Sequence, residues 1–298
     1  MWILLAVAAA LAGAVVIAMP GQDEEPAAPL RTATVKERVQ QFSAALREDA
    51  AYRPPSEDER RKFVDALTTL SAGQPDDVPR TTGALQQLGM SVEQGTDSQT
   101  GRAYVLVASE PNAERGWGLY VIDLSRPARL AVQVPHPAND LRTDEIGLEL
   151  FRRVPGTVLA VSGTHRAVSN GAGDAAHRTD SMFHTLAVKH SDLGLPQVQL
   201  HGFGDNSLSS ADVVVSSGAG SAVTAHRRIA DGLDRVLRVC RAWSRDCGEL
   251  EGRRNKQGGV AAERGVPFVH LETSRTVRDD AERWQEIVKV AAEALGDD

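Results

Sequence analysis

Along the second half of the chain, short apolar runs alternate with longer stretches of mixed polarity. RAYVLVAS (102–109), GLYVIDL (118–124) and RLAVQVPH (129–136) have strand length and are separated by turn residues. TVLAVSG (157–163), VQLHGF (198–203), ADVVVSS (211–217) and PFVHLE (267–272) read as further strands. Between them, 143–153, 180–191, 221–239 and 276–295 read as helices. Strands interleaved with helices predict an α/β fold, a mixed, mostly parallel sheet with helices on both faces. Ligands in such sheets collect at strand ends, where loops begin.

The first ninety residues have a different texture. Trp2 to Met19 run without a charge, at the lower limit for a membrane-spanning helix and equally suited to a signal-peptide core. A buried N-terminal helix is the remaining account. Asp23, Glu24 and Glu25 follow, with no Lys or Arg before Arg31, which suits export of the C-terminal side. Residues 35–70 read as two polar helices broken by RPPSED, since a double Pro forbids continuation. The expected organisation is an anchor or signal at 1–20, a linker and small helical spacer at 21–90, and an α/β domain at 91–298. The expected location is extracytoplasmic, membrane-anchored or secreted.

A formal charge of −7 without a basic stripe excludes a nucleic-acid partner and disfavours adhesion to anionic lipid. The two cysteines, Cys240 and Cys247, are too few for an all-thiolate zinc site; in an oxidising compartment they are expected to close a short disulfide loop.

Chemistry concentrates where the strands end. His136 closes LAVQVPH, His201 closes VQLH and Glu272 closes FVHLE, so one sheet edge can gather all three. Asp140 follows His136 by four residues, ahead of the helix that Thr143 can cap. Two imidazoles and a carboxylate are common zinc ligands, and a catalytic zinc keeps three protein ligands with one position open. The competing account of a lone strand-end His is a hydrogen-bonded structural residue. Asp144 and Glu145 have their own explanation as first-turn acids stabilising the helix dipole, which leaves Asp140 as ligand and Glu145 in reserve.

These residues resemble a known family. HPANDLRTDEIG (136–147) is similar to the His-then-acid metal motif of zinc carboxypeptidase-like hydrolases, in particular the phage-type poly-γ-glutamate hydrolases. VQLHGF resembles the segment carrying that family's later His ligand, and FVHLETSR the segment carrying its catalytic Glu. N-formylglutamate amidohydrolases are a more distant likeness. The resemblance covers about residues 100–298 and implies a metallocarboxypeptidase or phosphorylase-hydrolase-like fold. It further implies zinc on His136, Asp140 and His201, with Glu272 as general base. Asp140 stands where the family usually has Glu, and residues 164–180 form a long polar insert. Zinc lowers the pKa of bound water to roughly 7, within reach of a carboxylate base.

His270 shares a strand face with Glu272 and either orients that carboxylate or is a hydrogen-bonded residue under a covering helix. The segment 163–184 carries His165, Arg166, His177, Asp180, Ser181 and His184. It either lines the substrate cleft, with Arg166 and His177 as substrate contacts, or is a solvated loop capped into a helix at Asp180 or Ser181. A Ser181–His177–Asp180 triad is disfavoured by crowding and by the missing G-x-S-x-G elbow. GRRNKQGG (252–259) reads as a loop in which Arg253, Arg254 and Asn255 either contact an anionic substrate or are exposed charge. The expected function is zinc-dependent hydrolysis of an amide bond in a cell-wall peptide, γ-glutamyl polymer or N-acyl amino acid. The alternatives are a non-catalytic binding domain retaining the fold and a metal-independent serine hydrolase.

Overall fold

In the computed structural model, which describes residues 33–296, the alternation of runs becomes one nine-stranded sheet. The strands are β1 (Met90–Thr96), β2 (Ala103–Ser109), β3 (Leu119–Asp123), β4 (Leu130–Val134), β5 (Thr157–Val161), β6 (Gln197–Phe203), β7 (Val213–Ser216), β8 (Val239–Arg241) and β9 (Phe268–Ser274). Their order is β1-β2-β3-β5-β4-β6-β9-β7-β8. The central four, β5, β4, β6 and β9, are mutually parallel, and antiparallel pairings join them to β3 on one side and β7 on the other.

The helices are α1 (Val35–Ala45), α2 (Glu57–Leu70), α3 (Val78–Gln87), α4 (Thr143–Arg153), α5 (Val168–Gly171), α6 (Met182–Asp192), α7 (Thr224–Leu233), α8 (Lys256–Glu263), α9 (Arg275–Arg278) and α10 (Ala281–Gly296). Successive side chains of a strand point to opposite faces, so the sheet has two cores. On one face Leu106, Val121, Val132, Leu159, Val198 and Leu271 pack with α1, α4, α7 and α10. On the other, Val105, Val107, Tyr120, Ile122 and Val158 pack with α2, α3 and α6.

The strand order places the site. From β4 the chain crosses through α4 to β5 on one side; from β5 it crosses through α6 to β6, on the other side of β4. The two crossovers leave in opposite directions and open a crevice at the carboxyl ends of β4 and β6, the usual ligand position in such sheets. On the face opposite the large apolar core, the central strands bury polar residues instead: Gln133, Gln197, Gln199, His201, His270 and Glu272.

Several elements differ from the sequence reading. Capping boxes at Thr34/Glu37 and Ser56/Glu59 start α1 and α2 as two helices around the double Pro. They are not a spacer beside the core: Val35, Val39 and Phe42 are buried in one core, and Phe63, Leu67 and Leu70 in the other. A narrow apolar stripe suffices to seat a helix whose average composition is polar. The compact unit accordingly begins at Ala33, and residue 90 does not coincide with its edge. β1, a half-exposed edge strand, lay outside the reading. The helix expected at 221–239 ends at Leu233, and Val239–Arg241 extends the sheet beside β7. The loop expected at 252–259 turns helical at Lys256, where the Asn255 side chain accepts from Gly258 N–H. Cys240 and Cys247 form the expected disulfide. No helix among the described residues is long and apolar enough to cross a membrane. The apolar run 2–19 lies outside the described residues.

Candidate metal centre

The turn after β4 brings the first two donors together. The His136 carbonyl accepts from Asn139 N at 3.0 Å and Asp140 N at 2.8 Å, which folds Asp140 back onto the His136 ring. One Asp140 oxygen, Oδ2, then lies 3.3 Å from His136 Nδ1 and 3.3 Å from His201 Nδ1. Donor atoms of His136, Asp140 and His201 all fall within 4.8 Å of one another, close enough to hold one metal ion. All three side chains are buried.

Each imidazole has its other nitrogen engaged. Asp174 Oδ1 lies 2.8 Å from His136 Nε2, and Gln199 Oε1 lies 2.7 Å from His201 Nε2. Asp174 also binds Arg166 at 3.0 Å and the His177 ring at 3.1 Å. Burial opposes ionisation of Asp140, but its polar contacts with the His136 and His201 rings outweigh it and hold the carboxyl far below the usual range. Asp174 is held low in the same way, burial being outweighed by His136 and His177. Burial depresses the pKa of His201, whereas for His136 the hydrogen bonds to Asp140 and Asp174 overcome burial and raise it.

Glu272 pairs in register with His201 across β6 and β9, which places its carboxylate beside the donors. Its Oε2 is buried without a partner. Burial pushes its pKa well above the carboxylate range, and the negative Asp140 adds to the rise. His270, two residues earlier on the same face, stacks on His201 with ring centroids 4.5 Å apart, and its Nδ1 has no partner. Donor atoms of His201, His270 and Glu272 also lie within 4.8 Å of one another. The expectation of a hydrogen-bonded His under a helix therefore fails for His270. What covers it is the turn at Gly252, where a Cβ would come within 2.5 Å of the ring.

Arg278 braces this end of the sheet. Its guanidinium donates to Thr273 O at 3.0 Å, Leu141 O at 2.6 Å and Phe203 O at 3.2 Å, tying β9, the turn after β4 and β6 together. Gly202 leaves it room, because a Cβ there would meet the guanidinium carbon at 2.4 Å.

A cleft of about 680 Å³ opens over the donors, and Arg166, His177 and Arg254 all line it. Arg166 and His177 are both tied to Asp174, and the exposed Arg254 pairs with Glu249. Thr143 does not cap α4: the cap position is Arg142, in the left-handed region at φ 71°, and the Thr143 hydroxyl is unpartnered. Glu145 turns to Arg142 at 3.3 Å and not to the site, which removes it as the reserve ligand. Ser181 caps α6 by accepting from His184 N–H at 3.0 Å, while Asp180 pairs with Arg178 and His177 with Asp174, so no triad forms.

Sequence reasoning passed over Asp174, Gln199 and Arg278, and it read Asn255 as a loop residue, whereas Asn255 is buried and donates to Gln199. Gln199 had a signal: VQLH and FVHLE alternate polar with apolar residues on strands that lie centrally and are buried on both sides. A polar residue in that setting must find a partner. Asp174 had none beyond its place in the polar insert.

No family model matches the chain, and no curated protein is similar to it in sequence. Solved structures overlap it in part. An N-formylglutamate amidohydrolase from Ralstonia eutropha is 11% identical over 56% of this chain and 91% of its own, with a TM-score of 0.36. A carboxypeptidase A candidate from Shewanella denitrificans is 13% identical over 83% and 70%, with a TM-score of 0.41. An aspartoacylase family protein from Mesorhizobium loti is 13% identical over 71% and 68%, with a TM-score of 0.39. Superpositions this loose establish no activity.

Proposed function

We propose that this chain is a zinc-dependent hydrolase of an amide bond, with His136, Asp140 and His201 holding the ion and Glu272 as general base. One observation carries the reading. Both imidazoles have Nε2 bound to an acceptor and direct Nδ1 at the same Asp140 oxygen. Two imidazoles, each braced from behind at Nε2, and a carboxylate are the donor set of a catalytic zinc with an open position. The buried, unpartnered oxygen of Glu272 beside them fits a group whose partner arrives with ion and substrate.

A bound zinc ion supplies Lewis acidity, acidifying a water molecule and polarising a carbonyl. The chain's residues do the rest. Glu272 accepts a proton at its carboxylate and delivers it to the leaving nitrogen. Burial pushes its pKa well above the ordinary carboxylate range, the direction that makes the carboxylate a stronger base. Arg166, half-exposed in the cleft wall, is placed to meet a substrate carboxylate. γ-Glutamyl polymers, cell-wall peptides and N-acyl amino acids present both an amide and such a carboxylate. The uncharged run 2–19 and the Cys240–Cys247 disulfide support an extracytoplasmic site of action.

Glu272→Gln keeps the shape but cannot take the proton. Zinc stoichiometry in the purified variant is expected to match the wild type, while amide turnover falls on the order of 10²–10⁴-fold. Wild-type turnover in the variant overturns the base assignment. A wild-type protein that takes up no zinc overturns the hydrolase reading and leaves the binding-domain alternative.

A further inference from the structure

Beneath the donors, the polar face of the central strands holds an unbroken chain of side-chain amides. Gln197 Nε2 donates to Ala187 O at 3.2 Å and to Ser191 Oγ at 2.7 Å. Gln133 Nε2 donates to Gln197 Oε1, and Gln199 Nε2 donates to Gln133 Oε1 at 2.8 Å. Gln199 Oε1 meets His201 Nε2. Gln133, Gln197 and Gln199 are each at most 2% exposed, so no water competes for these groups.

Amide orientation and imidazole tautomer are inferred from partners and are not seen directly. Here the partners leave no freedom. The Ala187 carbonyl can only accept, so Gln197 must face it with nitrogen and turn its oxygen to Gln133. Gln133 must then donate, which turns its own oxygen to Gln199, and Gln199 in turn presents oxygen to His201. A second anchor gives the same answer. Asn255 Oδ1 accepts from Gly258 N–H at 2.9 Å, so Asn255 Nδ2 donates, and it donates to the same Gln199 oxygen. A third agrees: Gln257 donates to Ala175 O at 2.9 Å and offers its oxygen to Gln199 Nε2 at 3.3 Å.

We infer that this amide chain fixes His201 as the Nε2–H tautomer before any ion arrives, making Gln199 the positioning residue of a metal ligand, with Gln133, Gln197 and Asn255 fixing Gln199. The lone pair then sits on Nδ1, the nitrogen facing Asp140. Without the chain, the imidazole is free to place its proton on Nδ1, toward the Asp140 carboxylate, where it blocks coordination. The metal consequence rests on the function proposed above; the tautomer itself does not.

The test uses full-length protein with ¹⁵N-labelled histidine, stripped of metal by a chelator and held near pH 8. Two-bond ¹H–¹⁵N spectra report the tautomer of each of the eight histidines, with His201 assigned by its loss in His201→Gln. Wild-type His201 is expected as Nε2–H. Gln199→Met, which removes the acceptor, is expected to populate Nδ1–H and to weaken zinc binding on the order of 10–100-fold in competition with a chromophoric chelator. Gln199→Glu keeps the acceptor facing His201 but loses the donor to Gln133 and Gln257; it is expected to retain the Nε2–H proton, which separates the acceptor itself from the rest of the amide chain. An Nδ1–H signal in a wild-type protein that takes up zinc overturns the inference alone, as does unchanged tautomer and affinity in Gln199→Met. An Nε2–H signal in a wild-type protein that takes up no zinc overturns the metal reading.

Discussion

Both ring nitrogens of His136 face carboxylates, Asp140 on one side and Asp174 on the other. The two serve different ends: Asp140 shares the donor cluster, whereas Asp174 fixes the ring from behind and collects Arg166 and His177. Removing such a brace typically weakens a metal site 10–100-fold, because the ring is freed to rotate and its basicity falls. Asp174→Ala is therefore expected to weaken zinc binding on the order of 10–100-fold while His201 keeps its bond to Gln199, which the histidine spectra report. Unchanged zinc affinity in a competition titration would show that His136 is oriented by something other than Asp174. Chain proximity made the His136–Asp140 pair legible, since four residues and one tight turn separate them. Asp174 is 38 residues away, in an insert whose polarity fitted a solvated loop equally well.

At the scale of elements, periodicity recovered what is repetitive. Residues 103–109, 119–123, 130–134, 157–161 and 197–203 are strands within a residue or two of their apolar runs, and α4 begins and ends where expected. Elements short of repeats escaped. Only eight residues long, α8 is glycine-rich and held by one cap; Leu237 and Val239 alternate as a strand does but follow directly on helical spacing. Gly202 in β6 shows how an element can depend on a distant one. Its backbone is ordinary, yet an added Cβ would meet Arg278, which joins three carbonyls from three segments. Gly202→Ala is expected to displace that guanidinium and destabilise the protein by about 1–3 kcal/mol, as overpacking does, measured by urea unfolding. Stability within a few tenths of a kcal/mol of wild type would mean that Arg278 moves freely and does not brace the sheet end.

The whole molecule carries a pH dependence that no single element announces. His190, on α6, is buried with neither ring nitrogen bonded, and burial lowers its pKa from the ordinary 6.5 to about 4. Between those values the unfolded chain binds more protons than the native one, so stability rises with pH. The contribution is present in full above about pH 6.5 and is lost as pH falls toward 4. Between pH 7.5 and pH 5 it amounts to about 2 kcal/mol. His190→Leu cannot take up that proton and is expected to lose about 2 kcal/mol less than wild type over that interval in urea unfolding. Identical slopes for the two proteins would show that His190 titrates normally in the native state.

Local order along the chain determined the α/β class and placed His136, Asp140, His201 and Glu272 together at strand ends. Strand periodicity and tight turns depend on neighbouring residues, and parallel strands bring their carboxyl ends to one edge. Which strands lie side by side was decided only in three dimensions. The order β5-β4-β6-β9 opens the crevice between β4 and β6, and the register of β6 with β9 sets Glu272 opposite His201. The tertiary structure alone also decided which buried polar groups meet. Gln133, Gln197, Gln199 and Asn255 come from two strands and a helix cap, and each bond in their chain reflects the cost of burying an unpaired polar group. That cost is local, but the partner that relieves it is chosen by packing between segments far apart in sequence.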